Sequence, residues 1–154
     1  MRSLNTRRNA RTRRAWPLGR GFTLLELAIV AVIVVVLMKL ALPSYRDKVY
    51  RGRRADGTTA LADLANRMEA YYGQNNTYAT ATIAAGVAAT DVLSSATSVQ
   101  GYYTLSIQSS NATTYTIQAA PAGTQTGDTV CATLRLTSAN VKTITGTGTV
   151  ASCW

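Results

Sequence analysis

The sequence predicts an α+β fold: a long N-terminal helix packed on a four-stranded antiparallel sheet. Two observations carry this expectation. An apolar run from Phe22 to Leu42 passes into a helical repeat of apolar residues that ends near Gly73, and residues 73–154 then hold only four charged residues and eighteen threonines, with apolar residues at strand spacing. At 154 residues the chain has room for one compact domain.

The charge is unevenly spread. Of 16 basic residues, seven lie in the tail as Arg2, Arg7, Arg8, Arg11, Arg13, Arg14 and Arg20, with no acid among them. Residues 22–154 carry nine basic and seven acidic side chains, so the formal +9 describes the tail more than the body. With no histidine, imidazole chemistry is excluded, and two cysteines cannot build a zinc site by themselves. No paired carboxylates, phosphate-binding glycine loop or activated nucleophile is visible. An enzyme is not expected, nor is a cofactor or metal.

The first element is the apolar run. Between Phe22 and Leu42 only Thr23, Glu26 and Lys39 are not apolar. A helix of that length covers about 30 Å, the hydrocarbon thickness of a bilayer. A buried core helix is the alternative, but a chain of this size has little else with which to enclose it. A secretory signal, twin-arginine or ordinary, also begins with a basic tail and an apolar run. Lys39-Leu40-Ala41-Leu42-Pro43 offers no small-x-small cleavage site, however, and a signal gains nothing from Glu26. Seven basic residues before the run, against five in positions 43–63, favour the tail inside and the remainder outside.

A carboxylate inside a spanning helix costs ~2.5–3.5 kcal/mol at the centre and less near the interface, so Glu26 calls for a partner or a purpose. It stands in Gly21-Phe22-Thr23-Leu24-Leu25-Glu26, behind a basic leader and before an unbroken apolar continuation. This motif resembles the processing site of the type IV pilins. The resemblance implies cleavage after Gly21 by a membrane-embedded prepilin peptidase, N-methylation of the new terminal Phe22, and retention of the apolar helix. A Phe22 ammonium and a Glu26 carboxylate one turn away would let staggered helices meet charge to charge, which fixes register more than it stabilises. Pro43 and Tyr45 also fit the family, and at Pro43 a missing N–H and a clash with the preceding turn predict a kink or local melting. Val35 departs from the family, standing where many pilins have glycine, and the leader is longer than the usual one.

Beyond Pro43, Leu61, Leu64, Ala65, Met68, Tyr71 and Tyr72 make one apolar face. Arg46, Lys48, Arg51, Arg53, Arg54, Asp56, Asp63 and Arg67 are assigned to the polar side. Gly52 and Gly57 each cost ~1 kcal/mol against Ala and suggest a curved or soft stretch. The expected division is a leader at 1–21, a membrane and assembly helix at 22–42, and a globular domain at 43–154. Within that domain the amphipathic helix covers 43–73, a connection 74–100, and the sheet and tail 101–154. Strands are predicted at Tyr103–Ile107, Tyr115–Ala119, Val130–Leu136 and Val141–Thr145.

Cys131 and Cys153 enclose 21 residues. Outside the cytoplasm a disulfide is the natural reading, worth ~3 kcal/mol in the chain-entropy model, with two buried thiols as the alternative. A C-terminal cysteine-bounded loop also resembles the pilins, and Cys153-Trp154 one minor-pilin branch. Arg54-Ala55, Tyr71-Tyr72, Asn75-Asn76-Thr77-Tyr78 and Gly101-Tyr102-Tyr103-Thr104 point the same way.

The resemblance implies a minor pilin of a type IV pilus, single-pass in the inner membrane with its globular domain periplasmic, then part of a surface fimbrium serving adhesion and twitching motility. Its partners would be other pilin subunits, the prepilin peptidase and the assembly machinery. A major pilin, a type II secretion pseudopilin and a DNA-binding pilin for transformation are the alternatives. For nucleic acid the sequence offers only the Arg46–Arg54 cluster, which could equally contact acidic lipid headgroups and reads first as a solvated helix face near a membrane.

Overall fold

The computed structural model describes residues 22–154, so the expected leader, including Gly21, lies outside the described residues. The described residues divide into two units, one up to Lys39 and one from Leu40 to Trp154, and helix α1, Leu24–Asn75, begins in the first and ends in the second. Every side chain from Phe22 to Leu42 is exposed. Among the described residues this is one stretch of helix long and apolar enough to cross a membrane.

In the second unit α1 packs on an antiparallel sheet of order β3-β4-β5-β6, with strands at Tyr103–Ser110, Tyr115–Pro121, Leu134–Thr137 and Lys142–Ile144. The helix buries Leu61, Leu64, Met68 and Tyr71 at three- and four-residue steps, as its periodicity dictates. The sheet answers at two-residue steps with Tyr103 and Leu105, Tyr115, Ile117 and Ala119, and Leu134 and Leu136. These side chains form one core, closed at its end by Cys131 and Cys153. On the opposite face of the sheet, Gln118 donates to Ser106 (3.1 Å) and accepts from Arg135 (3.3 Å), side chains that the strand register places directly opposite each other.

Several boundaries differ from expectation. The helix passes Gly73 and ends at Asn75, where the N–H of Asn76, at φ 52°, bonds back to Tyr72. The 74–100 connection contains a parallel pair, β1 (Thr82–Ile83) and β2 (Asp91–Leu93). One carboxylate organises it: Asp91 accepts from the Thr82 hydroxyl (2.6 Å) and from the N–H groups of Ala85, Gly86 and Val87. The Thr82 bond and those amides hold its pKa below the ordinary carboxylate value. The third strand starts at Leu134, because Val130 and Ala132 belong to a turn in which the Ala132 N–H bonds to the Asp128 carbonyl. The fourth is shorter, Lys142–Ile144. A final helix, α2, spans Val150–Cys153.

The glycines separate into two kinds. At Gly57 a Cβ would lie 2.9 Å from the ring carbons of Tyr103, so the missing side chain lets the helix backbone approach the sheet. This corrects the reading of Gly57 as a soft point. Gly52 has open space around it.

Candidate functional site

Two sets of residues hold the chemistry of this chain: the start of α1, and the polar groups that fasten the globular unit to the helix. At the start of α1, Phe22 is 81% exposed and precedes the helix. The Thr23 hydroxyl accepts from the Glu26 N–H at 3.2 Å, the first half of a capping box. The signature Thr23-x-x-Glu26 was legible in the sequence but absorbed into the processing motif. Glu26 thus has a local use, favouring the positive end of the helix. Pro43 lies inside α1, which continues as helix on both sides, so local melting at that position is not present.

The globular unit uses its carboxylates fully. Asp128 is 1% and Arg54 4% exposed, and the two meet in a two-pronged ion pair at 2.7 and 2.8 Å. Asp128 accepts further bonds from Gln125 Nε2 and the Cys131 N–H, while Arg54 donates to the Ser152 carbonyl at 3.4 Å. Burial would raise the Asp128 pKa, but Arg54 and the Cys131 amide overcome it and hold the pKa below its ordinary value. The Arg54 pKa is raised, chiefly by its bond to Asp128. Cys131 and Cys153 are joined as a disulfide, Cα–Cα 5.6 Å. Arg54 therefore grips the chain just before each cysteine.

Asp56 is a second clamp. It accepts from the Ser98 hydroxyl (2.6 Å) and from the N–H groups of Gln100 and Tyr102, tying the approach to β3 onto the helix. Glu69 is a third, accepting from the phenols of Tyr78 (2.9 Å) and Tyr115 (3.0 Å). Burial and then the Glu69 bond push the Tyr78 pKa up to about 12, and the Tyr115 pKa rises for the same reasons. Asp47 pairs with Arg51 (2.9 Å) and Asp63 with Arg67 (2.8 Å).

Two assignments from sequence are corrected here. Arg54 and Asp56 are buried, not on the solvent side. For Arg54 the spacing carried a signal, since it stands seven residues before Leu61 and fourteen before Met68, in line with the apolar stripe. The Arg46–Arg54 cluster is likewise not one open basic surface. Arg54 is consumed by Asp128, Arg51 by Asp47, and Arg53 by Thr124 (2.9 Å) and the Tyr102 ring (4.5 Å). Arg46 and Lys48 stay exposed. Among the described residues no group of His, Cys, Asp or Glu is arranged to hold a metal ion.

Residues 43–135 match the family described as type IV minor pilin ComP, DNA uptake sequence receptor, over more than half of the chain. The chain belongs to the type IV pilins. This pilin is 35% identical over 71 residues to the fimbrial protein EcpC of Eikenella corrodens, covering 46% of each chain. It is 32% identical over 94 residues to a fimbrial protein of Neisseria meningitidis, covering 61% of this chain and 52% of that one. Against the type IV major pilin protein PilE of Neisseria gonorrhoeae the figures are 31% over 94 residues, 61% and 53%. The matched stretch spans about half the length of these curated relatives.

Proposed function

We propose that this pilin is a structural subunit, of the minor type, of a type IV pilus. It enters the inner membrane as a single-pass prepilin with its globular domain on the periplasmic side. A prepilin peptidase cuts between Gly21 and Phe22, Phe22 is N-methylated, and the helix that begins there carries the subunit into the fibre. A bend at Pro43 would adjust the helix to its neighbours. Family membership supports a structural rather than a catalytic role.

One observation supports the assembly role best. Among the described residues, Glu26 is the one side-chain carboxylate that takes no ion pair and accepts no hydrogen bond, while the other six are all engaged within the fold. A charge on an exposed apolar helix with no partner among the described residues is suited to the terminal ammonium of a second chain. The test is the amount of subunit in sheared pili relative to its membrane pool. Glu26→Gln should cut incorporation severalfold while cleavage and membrane insertion stay as in the wild type. Equal incorporation would overturn the role assigned to Glu26.

A second reading, as a receptor for DNA during uptake, is favoured by the description of the matched family. It predicts salt-dependent retention of duplex DNA by the purified pilin, and a fall in transformation when the gene is deleted. Deletion strains that take up DNA normally would exclude it.

A further inference from the structure

The described residues include nine cations, and the fold gives six of them partners. Arg51, Arg54 and Arg67 pair with carboxylates, Arg53 with Thr124 and Tyr102, Arg135 with Gln118, and Lys142 lies 5.1 Å from the centre of the Trp154 ring. Lys39, Arg46 and Lys48 are the three left without one among the described residues. All three stand where the apolar run gives way to the globular unit. Tyr45, 67% exposed, stands among them. The fold has not used these side chains, and they share one short segment.

We infer that Tyr45, Arg46 and Lys48 form a collar that binds the phosphate headgroups of anionic phospholipids at the membrane surface. The inference rests on the membrane-spanning reading above. If the hydrocarbon ends at Leu42, then at ~1.5 Å per residue Tyr45 stands about 4–5 Å beyond it, Arg46 about 6 Å and Lys48 about 9 Å. The headgroup layer on each side of a bilayer is roughly 5–8 Å deep, so all three reach it. An amphipathic phenol suits the boundary, and basic side chains suit the phosphates above it. Asp47, which would repel phosphate, is neutralised by Arg51 at 2.9 Å.

The other anions fit less well. A second copy of this chain offers no free Asp or Glu side chain outside the apolar run, since all but Glu26 are engaged. A DNA duplex presents its phosphates to one side of a helix. Arg46 and Lys48 are two residues apart, roughly 200° around the helix axis, and so point to opposite sides. A headgroup layer surrounds the helix and meets both. The collar would hold the unassembled subunit at a fixed depth and release it as the helix leaves lipid for the fibre.

The test places the full chain in lipid nanodiscs carrying a photoactivatable headgroup on phosphatidylglycerol or on phosphatidylcholine. Crosslinks to residues 43–53 are then mapped by mass spectrometry. The anionic probe should label this segment in preference to the zwitterionic one. Arg46→Gln and Lys48→Gln should each lower that labelling about fivefold, and the double variant more than tenfold. Both side chains are exposed, so an unchanged melting profile is expected and is recorded for each variant. Equal labelling by the two lipids, with the protein inserted in the disc, would overturn the inference and leave the membrane reading standing. Failure of the chain to co-purify with discs would overturn both. Retention of duplex DNA on the discs, lost in the double variant and without preference for anionic lipid, would reassign the collar to nucleic acid.

Discussion

Replacing Asp128 by Asn tests how the globular unit is held to its helix. The substitution keeps the size of the side chain and removes the charge that faces Arg54 at 2.7 and 2.8 Å. Arg54 is 4% exposed, so its charge stays buried. Asp47 is the nearest substitute, at 4.0 Å, but it is 41% exposed and already bonded to Arg51. Breaking one side of a buried pair costs about 3–5 kcal/mol, because the remaining ion has lost its partner and cannot regain water. With a urea m-value near ~1.5–2 kcal/mol/M for a domain of this size, the midpoint should fall by about 2 M. Unfolding can be followed in micelles by Trp154 fluorescence in a Trp16→Phe background, because the Trp154 indole bonds to the Thr143 carbonyl at 3.4 Å. Arg54→Met combined with Asp128→Leu should lose much less than either single change, since no charge is then stranded. Acid adds a second arm. Folded Asp128 keeps its charge below the pH at which the unfolded chain takes up a proton, so the unfolded state binds more protons there. Stability is therefore complete above about pH 4 and is lost as pH falls below it. Asp128→Asn should flatten that slope. A loss under 1 kcal/mol with an unchanged acid slope would refute the clamp.

Gly52 and Gly57 of α1 should respond with opposite sign: Gly57→Ala loses about 1–3 kcal/mol to the Tyr103 ring, whereas Gly52→Ala gains up to ~1 kcal/mol, both read by urea unfolding. Equal responses would show that the helix–sheet approach does not need Gly57. Cys131→Ser should cost about 3 kcal/mol in the same assay and leave the tail open to proteolysis, and a midpoint unchanged by reduction of the wild type would contradict this. At high pH the unfolded tyrosines release protons near 10 while folded Tyr78 holds its own to about 12. Stability should thus fall as pH rises through that window, and Tyr78→Phe should reduce the slope.

Much of this architecture follows from periodicity. The stripe Leu61, Leu64, Met68, Tyr71 and the alternation Tyr115, Ile117, Ala119 each specify an element and its buried face, since one face must leave water. The start of α1 was legible for a different reason: the capping hydroxyl, the apolar run and Glu26 are neighbours in the chain. Where the reading failed, the partner lay far away. Arg54 and Asp56 looked like solvent-facing charges because nothing near them in sequence shows Asp128 or the Ser98–Tyr102 loop. Val130 and Ala132 looked like strand because alternation cannot register the turn that leads Cys131 to Cys153.

The sequence by itself determined the long helix, its apolar segment and the four strands of the sheet, because local spacing and composition govern each of these. Tertiary structure decided which charges are buried, whereas the Asp47–Arg51 and Asp63–Arg67 pairs follow from helical spacing. A carboxylate or guanidinium is costly to bury without a partner, and that partner can come from any distance along the chain once the sheet closes on the helix. Among the described residues the closed fold takes up six carboxylates and six cations, and leaves Glu26 and Lys39 on the apolar run and Arg46 and Lys48 at its exit.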